Sequence, residues 1–272
     1  LAGLNEPQRK AVEHIDGPLM IIAGAGTDRV TTNDPQSSTN VVLGDNGHVD
    51  FKLAGTGSHP VFKTNSTGRY MLDAITTSVN EPNGNDDVIT LRSGSAIVIA
   101  GAGADQVSFD ALSSTGSNAR WIAGDHATVT TDSVGSIVNF ASSDTESSTG
   151  GIDLVTVGSA ADSSSRNLGS NYIIGGMAYD RVLISSSRSN SGVISYGSAY
   201  SQDVILGDNG SIIRWSDSAY LSQVFSTQIT AGLGGADEIY TTNGDKVIIG
   251  GVDSDTIRVQ TTDFSSTISS ST

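Results

Sequence analysis

Four aspartates, Asp28, Asp105, Asp180 and Asp255, follow one another at intervals of 77, 75 and 75 residues. Each closes a strand-like apolar run and a small-residue turn: IIAGAGTDRV (21–30), VIAGAGADQV (98–107), YIIGGMAYDRV (172–182) and VIIGGVDSDTI (247–257). A G-x-D-x-[VI] element precedes each of the last three. It adds Asp86, Asp153 and Asp237, placed 19, 27 and 18 residues upstream. An aspartate at a glycine-bounded turn can accept hydrogen bonds from turn amides. It can also give its oxygens to a hard divalent cation such as calcium, which takes six or more of them. The densest group is Asp237 with Asp253 and Asp255, with Asp245 nearby.

Other chemistry has less support. The chain has no Cys, which excludes disulfide staples and thiolate metal sites. Its four histidines, His14, His48, His59 and His126, form no His-x-x-x-His ligand pattern. His126 stands where equivalent turns carry Asn46 and Asn209, so it reads as a turn residue. Serine is too abundant for a catalytic triad to be argued from spacing. A β-helical polysaccharide lyase or hydrolase would need a non-repeating charged cluster. Only Asp50, Lys52, Lys63 and Arg69 approach one. Trp121 and Trp215 are expected to pack on the fold rather than bind sugar.

The elements that position the aspartates are short. Runs such as AIVIA, NVVLG, NYIIGG, DVILG and KVIIGG are β-branched and closed by Gly, Asp or Asn, which reads as strand followed by turn. A third, weaker element completes each block: Gly44-Asp-Asn-Gly47, Gly124-Asp-His-Ala127 and Gly207-Asp-Asn-Gly210. Steps of 18 and 19 residues fit one coil of a parallel β-solenoid, and the 27-residue step is expected to hold a loop at 163–171. A block of about 75 residues then holds about three coils. A lone coil cannot bury its apolar face, whereas stacked coils align Val and Ile into one core. Propeller blades are too short for this period.

Composition agrees. The formal charge of −15 argues against nucleic acid and anionic membrane as partners, since both demand cationic surface, and it suits divalent cations. No apolar run approaches the roughly 20 residues that span a bilayer. The chain begins with Leu and ends in SSTISSST, and reads as part of a longer protein.

The central segments resemble the nonapeptide G-G-x-G-x-D-x-U-x of hemolysin-type (RTX) calcium-binding repeats, with U a large apolar residue. Gly250-Gly-Val-Asp-Ser-Asp255-Thr-Ile257 carries Asp253 in place of the third Gly, and Gly175-Gly-Met-Ala-Tyr-Asp180-Arg-Val182 carries Ala178 there. The copies around Asp105 and Asp28 match apart from their first residue. The resemblance covers about residues 21–260. It implies calcium held between turns of neighbouring coils by aspartate carboxylates and turn carbonyls, with Asp237, Asp253 and Asp255 as the first candidate ligands and Asp180, Asp105, Asp28, Asp153 and Asp86 as the further ones. It also implies a place in a large secreted or surface-attached bacterial protein.

Residues 1–27 are similar to something else, the N-terminus of UvrD/PcrA/Rep-type superfamily 1 DNA helicases. Leu4-Asn5-Glu-Pro-Gln8-Arg9-Lys-Ala11-Val12 matches that family's opening motif, with Gln8 at the adenine-reading position. Asn5 as N-cap, Gln8 three residues on and Asp16-Gly17-Pro18 as terminator predict a helix from Asn5 to about Ile15. The phosphate loop then fails. After Ala23-Gly-Ala-Gly-Thr27 the chain gives Asp28-Arg29-Val30 instead of Gly-Lys-Thr, and an aspartate there repels phosphate.

The expectation is therefore an all-β chain: a parallel β-solenoid (β-helix or β-roll-like) of about 75-residue blocks, with a short N-terminal α-helix as cap. Residues 1–20 form the helicase-like segment, 21–260 the repeat domain and 261–272 a Ser/Thr-rich tail. The expected function is a non-enzymatic structural or adhesive (adhesin-like) segment, extracellular or at the cell surface. Calcium is the expected ion, with surface glycans or proteins as partners, and with no nucleic acid and no membrane insertion. A β-helical carbohydrate-active enzyme is the alternative, and an inactive nucleotide-binding helicase remnant the third reading.

Overall fold

The computed structural model describes residues 20–261, apart from 33–38, 54–62, 66–67, 78–83, 93, 111–117, 145–148, 164–165, 217, 219, 228–229 and 231–232. Strands are numbered β1 to β23 in chain order. A central sheet of seven parallel strands contains β1 (Met20–Ile22), β3 (Thr39–Leu43), β8 (Ser95–Ile99), β10 (Ala119–Ala123), β14 (Asn167–Gly176), β18 (Tyr200–Asp208) and β22 (Lys246–Ile249), side by side in that order. A second parallel sheet flanks it, with β2 (Arg29–Thr32), β7 (Val88–Leu91), β9 (Gln106–Phe109), β13 (Leu154–Val157), β15 (Arg181–Ile184), β21 (Glu238–Thr241) and β23 (Thr256–Val259). The chain alternates between the two sheets. Each passage through a central strand, a corner and a flanking strand makes one rung, and the described residues form seven rungs.

A third sheet is antiparallel and covers the other face of the central one. Its path runs β20 (Leu221–Ser226), β19 (Gly210–Arg214), β12 (Ile137–Ser142), β11 (Ala127–Thr131), β6 (Gly68–Thr77) and β4 (Gly47–Leu53), and β5 (Lys63–Asn65) pairs with β6. A small hairpin, β16 (Ser186–Arg188) with β17 (Ile194–Tyr196), stands apart.

The expected single parallel solenoid with a helical cap is thereby corrected. The structure stacks two parallel sheets and one antiparallel sheet, and no helix occurs among the described residues. The helix expected from Asn5 to about Ile15 lies outside them, and Met20, assigned to the N-terminal segment, already belongs to β1. Three coils per block also fails. From Asp28 to Asp105, Asp105 to Asp180 and Asp180 to Asp255, the chain completes two rungs, and one of the two carries a hairpin excursion into the antiparallel sheet. The Gly-Asp-Asn turns are the points where those excursions leave. The expected loop at 163–171 is partly strand, since β14 begins at Asn167.

Burial explains the sequence patterns. The central sheet has neighbours on both faces, so its strands read as unbroken apolar runs. Val42, Val98, Ile122, Ile173 and Ile205 point toward the flanking sheet and meet Ile89, Val107, Val155, Val182 and Ile239. Their chain neighbours point the other way. Leu43, Ile99, Ile174 and Leu206 pack with Ile75, Val129, Phe140 and Ile212 of the antiparallel sheet. Strands of the flanking sheet have one wet face and alternate: β7, β9 and β13 have every second residue buried. Trp121 packs as expected, buried and stacked on Tyr172 with ring centroids 3.9 Å apart. Trp215 does not, being 63% exposed near the end of a hairpin.

Ile173 sits at the middle of the inner core and is fully buried. Ile173→Ala should cost about 2–4 kcal/mol in urea unfolding, the usual range for emptying such a site. Ile257→Ala, on the last rung, should cost well under half of that.

Candidate functional site

The corner between a central strand and the next flanking strand is the most regular place in the molecule. One aspartate stands at it on every rung: Asp28, Asp87, Asp105, Asp153, Asp180, Asp237 and Asp255. The first six lie two residues before a core residue of the flanking sheet, Asp255 stands two before Ile257 of the same row, and the strand register brings all seven into line. The backbone N–H of each donates to the carboxylate of the next. Asp28 donates to Asp87 Oδ1 at 2.7 Å, Asp87 to Asp105 at 2.7 Å and Asp105 to Asp153 at 2.8 Å. Asp153 donates to Asp180 at 2.8 Å, Asp180 to Asp237 at 2.8 Å and Asp237 to Asp255 at 3.0 Å. The main chain adds a parallel bond, as in Gln106 N–H to the Asp87 carbonyl at 2.8 Å.

The second carboxylate oxygen points inward. In Asp87, Asp105, Asp153, Asp180 and Asp237, Oδ2 is buried without a hydrogen-bond partner. For Asp87, Asp153, Asp180 and Asp237 it lies over a glycine at the end of the central strand in the same rung or just past it. A methyl group on Gly44, Gly124, Gly175, Gly207 or Gly250 would collide with Oδ2 of Asp87, Asp153, Asp180, Asp237 or Asp255 respectively. At these five positions a carboxylate occupies the space a side chain would need, while the rung of Asp105 carries Ala100 at the same place.

Three further aspartates sit where the chain leaves for the antiparallel sheet. Asp45 accepts the Ala102 N–H at 2.7 Å. Asp125 accepts Met177 N–H at 2.5 Å and Gly151 N–H at 3.2 Å, and Asp208 accepts Val252 N–H at 2.5 Å and Gly235 N–H at 3.1 Å. Each caps the turn of the rung that follows. Their carboxylates lie against Gly101, Gly176 and Gly251, which have φ of 114°, 129° and 127°.

Six of the eight candidate ligands thus fall in the row: Asp28, Asp105, Asp153, Asp180, Asp237 and Asp255. Asp86 does not. It is exposed and accepts the Ala104 N–H at 3.0 Å, while its neighbour Asp87 takes the place in the row. Asp253 is exposed on the turn before Asp255, with φ 72°. Asp245 lies at the far end of β22 from that turn, beside Gln202, and does not join the group. The signal for Asp87 was available. In Asn-Asp-Asp-Val-Ile-Thr-Leu, counting from Asp87 turns Ile89 and Leu91 inward, whereas counting from Asp86 turns Val88 and Thr90 inward.

Burial raises the proton affinity of this corner, and neighbouring carboxylates add to it. Asp87 is pushed up to about 6, Asp237 to about 7, Asp153 to about 8 and Asp105 to about 9. Asp180 and Asp125 lie well above the usual carboxylate range, and Asp208 is raised. Desolvation is the first cause in every case, because a buried charge without a counter-charge is strongly disfavoured. The corner therefore holds protons or recruits a cation. Among the described residues no three carboxylate or imidazole side chains converge as a metal-binding group. The row offers its free oxygens singly, one per rung.

The opposite edge of the two sheets carries a buried network with both charges. Asp203 receives Lys246 Nζ at 2.7 Å, Thr241 Oγ1 at 2.7 Å and Asn171 Nδ2 at 2.8 Å, and Asn171 in turn accepts from Arg120 at 3.2 Å. Spacing gave no hint of it, since its members come from different rungs. Between the central and antiparallel sheets a cavity of about 140 Å³ is lined by residues including Leu72, Ile97, Trp121 and Ile137. No protein-family model, curated protein or solved structure matches the chain.

The raised proton affinities fix the sign of the pH dependence. The folded state holds protons that the unfolded state has released, so this contribution is complete near pH 4 and is lost as pH rises through about 6 to 9. In metal-free buffer the melting temperature should fall from pH 5 to pH 9. Asp153→Asn, which keeps the shape without the charge, should flatten that fall. Asp153→Ala strands the Asp105 N–H and should cost about 1–3 kcal/mol at every pH. A melting temperature that rises with pH would overturn the assignment.

Proposed function

We propose that this chain is a non-enzymatic structural or adhesive segment of a larger secreted or cell-surface bacterial protein, stiffened by an acidic corner that calcium neutralises at neutral pH. The observation that supports this reading is repetition. One aspartate, one glycine contact and one inter-rung hydrogen bond recur along the stack, as a spacer requires. An enzyme would be expected to break the repeat at one place with chemically distinct side chains. The acidic surface and the likeness of the corner segments to hemolysin-type repeats favour calcium over other counter-charges.

The end of the row at Asp237 and Asp255, beside the buried Asp208 and the exposed Asp253, is where an ion from solvent would first meet the corner. These carboxylates are close enough to raise the proton affinity of Asp237 and Asp208. Asp237 also contributes a free Oδ2. Deeper rungs are reached only when neighbouring pairs release their protons.

Calcium should raise the melting temperature at pH 8 and EGTA should reverse the gain, while at pH 5 both should have little effect. Calcium at one hundred times its dissociation constant would add about 2.7 kcal/mol. Asp237→Asn with Asp255→Asn should remove most of the response. A melting temperature at pH 8 that neither calcium nor EGTA moves would reject calcium. Turnover of a polysaccharide would reject the non-enzymatic reading.

A further inference from the structure

Among the described residues nothing covers the last rung of the stack. Ile257 belongs to the same inward row as Ile239, Val182, Val155, Val107 and Ile89, all of which are at most 1% exposed, yet Ile257 is 43% exposed. Val259 on the same strand is 44% exposed, and Val247 on β22 is 39% exposed. The first rung mirrors this on the central sheet, where Met20 and Ile22 of β1 are each 42% exposed. Both terminal rungs thus present apolar side chains that an added strand would bury.

The two ends also complement each other in hydrogen bonding. Along the row every aspartate N–H donates to the carboxylate of the following rung. This leaves the Asp255 N–H as a donor at one end and the Asp28 carboxylate as an acceptor at the other. Strand polarity allows the join. The two parallel sheets continue with parallel neighbours. In the antiparallel sheet the edge strands β20 and β4 run in opposite directions, so they would meet antiparallel, as every neighbouring pair in that sheet does.

We infer that the last rung of one molecule docks on the first rung of a second copy, head to tail, extending all three sheets across the joint. Continuing the register sets Ile257 beside Val30 of the second copy, and Val247 and Ile249 beside its Met20 and Ile22. The Asp255 N–H then meets the carboxylate of the second copy's Asp28, so the aspartate row runs on without a break. Because the two surfaces differ, the contact does not close on itself, and it builds rods rather than a two-fold dimer.

The test is sedimentation velocity on the whole chain at pH 5, below the raised values of Asp87, Asp105, Asp153 and Asp237, at concentrations up to about 1 mM. The wild type should show mass that grows with concentration, and electron microscopy should show rods of varying length. Ile257→Lys blocks the tail, Met20→Lys blocks the head, and each variant alone should be monomeric. Mixed one to one, the two should form a dimer through the remaining open ends and nothing larger. Both positions are exposed, so circular dichroism and melting temperature should match the wild type. Should Ile257→Lys unfold, Val247→Lys blocks the same end. A wild type that stays monomeric throughout would overturn the proposal, with slow hydrogen exchange at Ile257 showing that other residues of the same chain cover the end. An Ile257→Lys protein that still dimerises alone, or a mixture that remains monomeric, would overturn it equally.

Discussion

The hydrogen bond from one corner aspartate's N–H to the next rung's carboxylate is the contact on which the rest of the stack depends. It fixes the distance between rungs where the chain turns and the sheet ladders end. It also fixes register, because only the residue two places before the inward-facing apolar side chain can reach. A slip of one residue would turn the apolar row outward and pull the carboxylate from its donor together. Hydrophobic burial drives these sheets together, and the aspartate row selects one alignment among those that burial would accept.

The same row accounts for the 75-residue period. Direct rungs end their central strand in Gly-Gly or Ala-Gly, as at Ala100-Gly101, Gly175-Gly176 and Gly250-Gly251. Rungs that send a hairpin into the antiparallel sheet end in Gly-Asp, as at Gly44-Asp45, Gly124-Asp125 and Gly207-Asp208. The first glycine makes room for the row aspartate in its own rung, and Ala100 takes that position in the rung of Asp105. The second position alternates between an aspartate that reaches forward and a glycine that receives it at positive φ. Neither kind of rung is complete alone. The repeating unit is therefore the pair, and its length is set by two rungs and one hairpin.

Strands of the central sheet were legible because burial on both faces leaves an unmistakable run, as in Ala96 to Ile99 or Val204 to Leu206. Six row aspartates were legible because a turn that must hold both a glycine and an acid has little freedom to drift. Asp86 was preferred to Asp87 because glycine-to-acid spacing was weighed above the alternation of Ile89 and Leu91. Asp45, Asp125 and Asp208 were seen as turn residues, but their targets are 57, 52 and 44 residues away in Ala102, Met177 and Val252. Local pattern says nothing about such a partner. The antiparallel sheet was hidden for a related reason. Gly-Asp-Asn-Gly opens an excursion as readily as it closes a coil, and only the pairing of β4 with β6 or β11 with β12 distinguishes the two.

A row of buried acids is a poor way to gain stability and an effective way to make stability conditional. Each carboxylate gives up water for one amide hydrogen bond and a free oxygen, so as an anion it is a net cost in a low-dielectric corner. As a neutral acid, or opposite a cation, the same group keeps the hydrogen bond without the charge. Glycines opposite the row leave no space for a larger neutral side chain to replace the aspartate and fill the corner. That geometry ties the rigidity of all seven rungs to the proton and cation content of the surroundings. The apolar cores hold the sheets together whichever state the corner adopts.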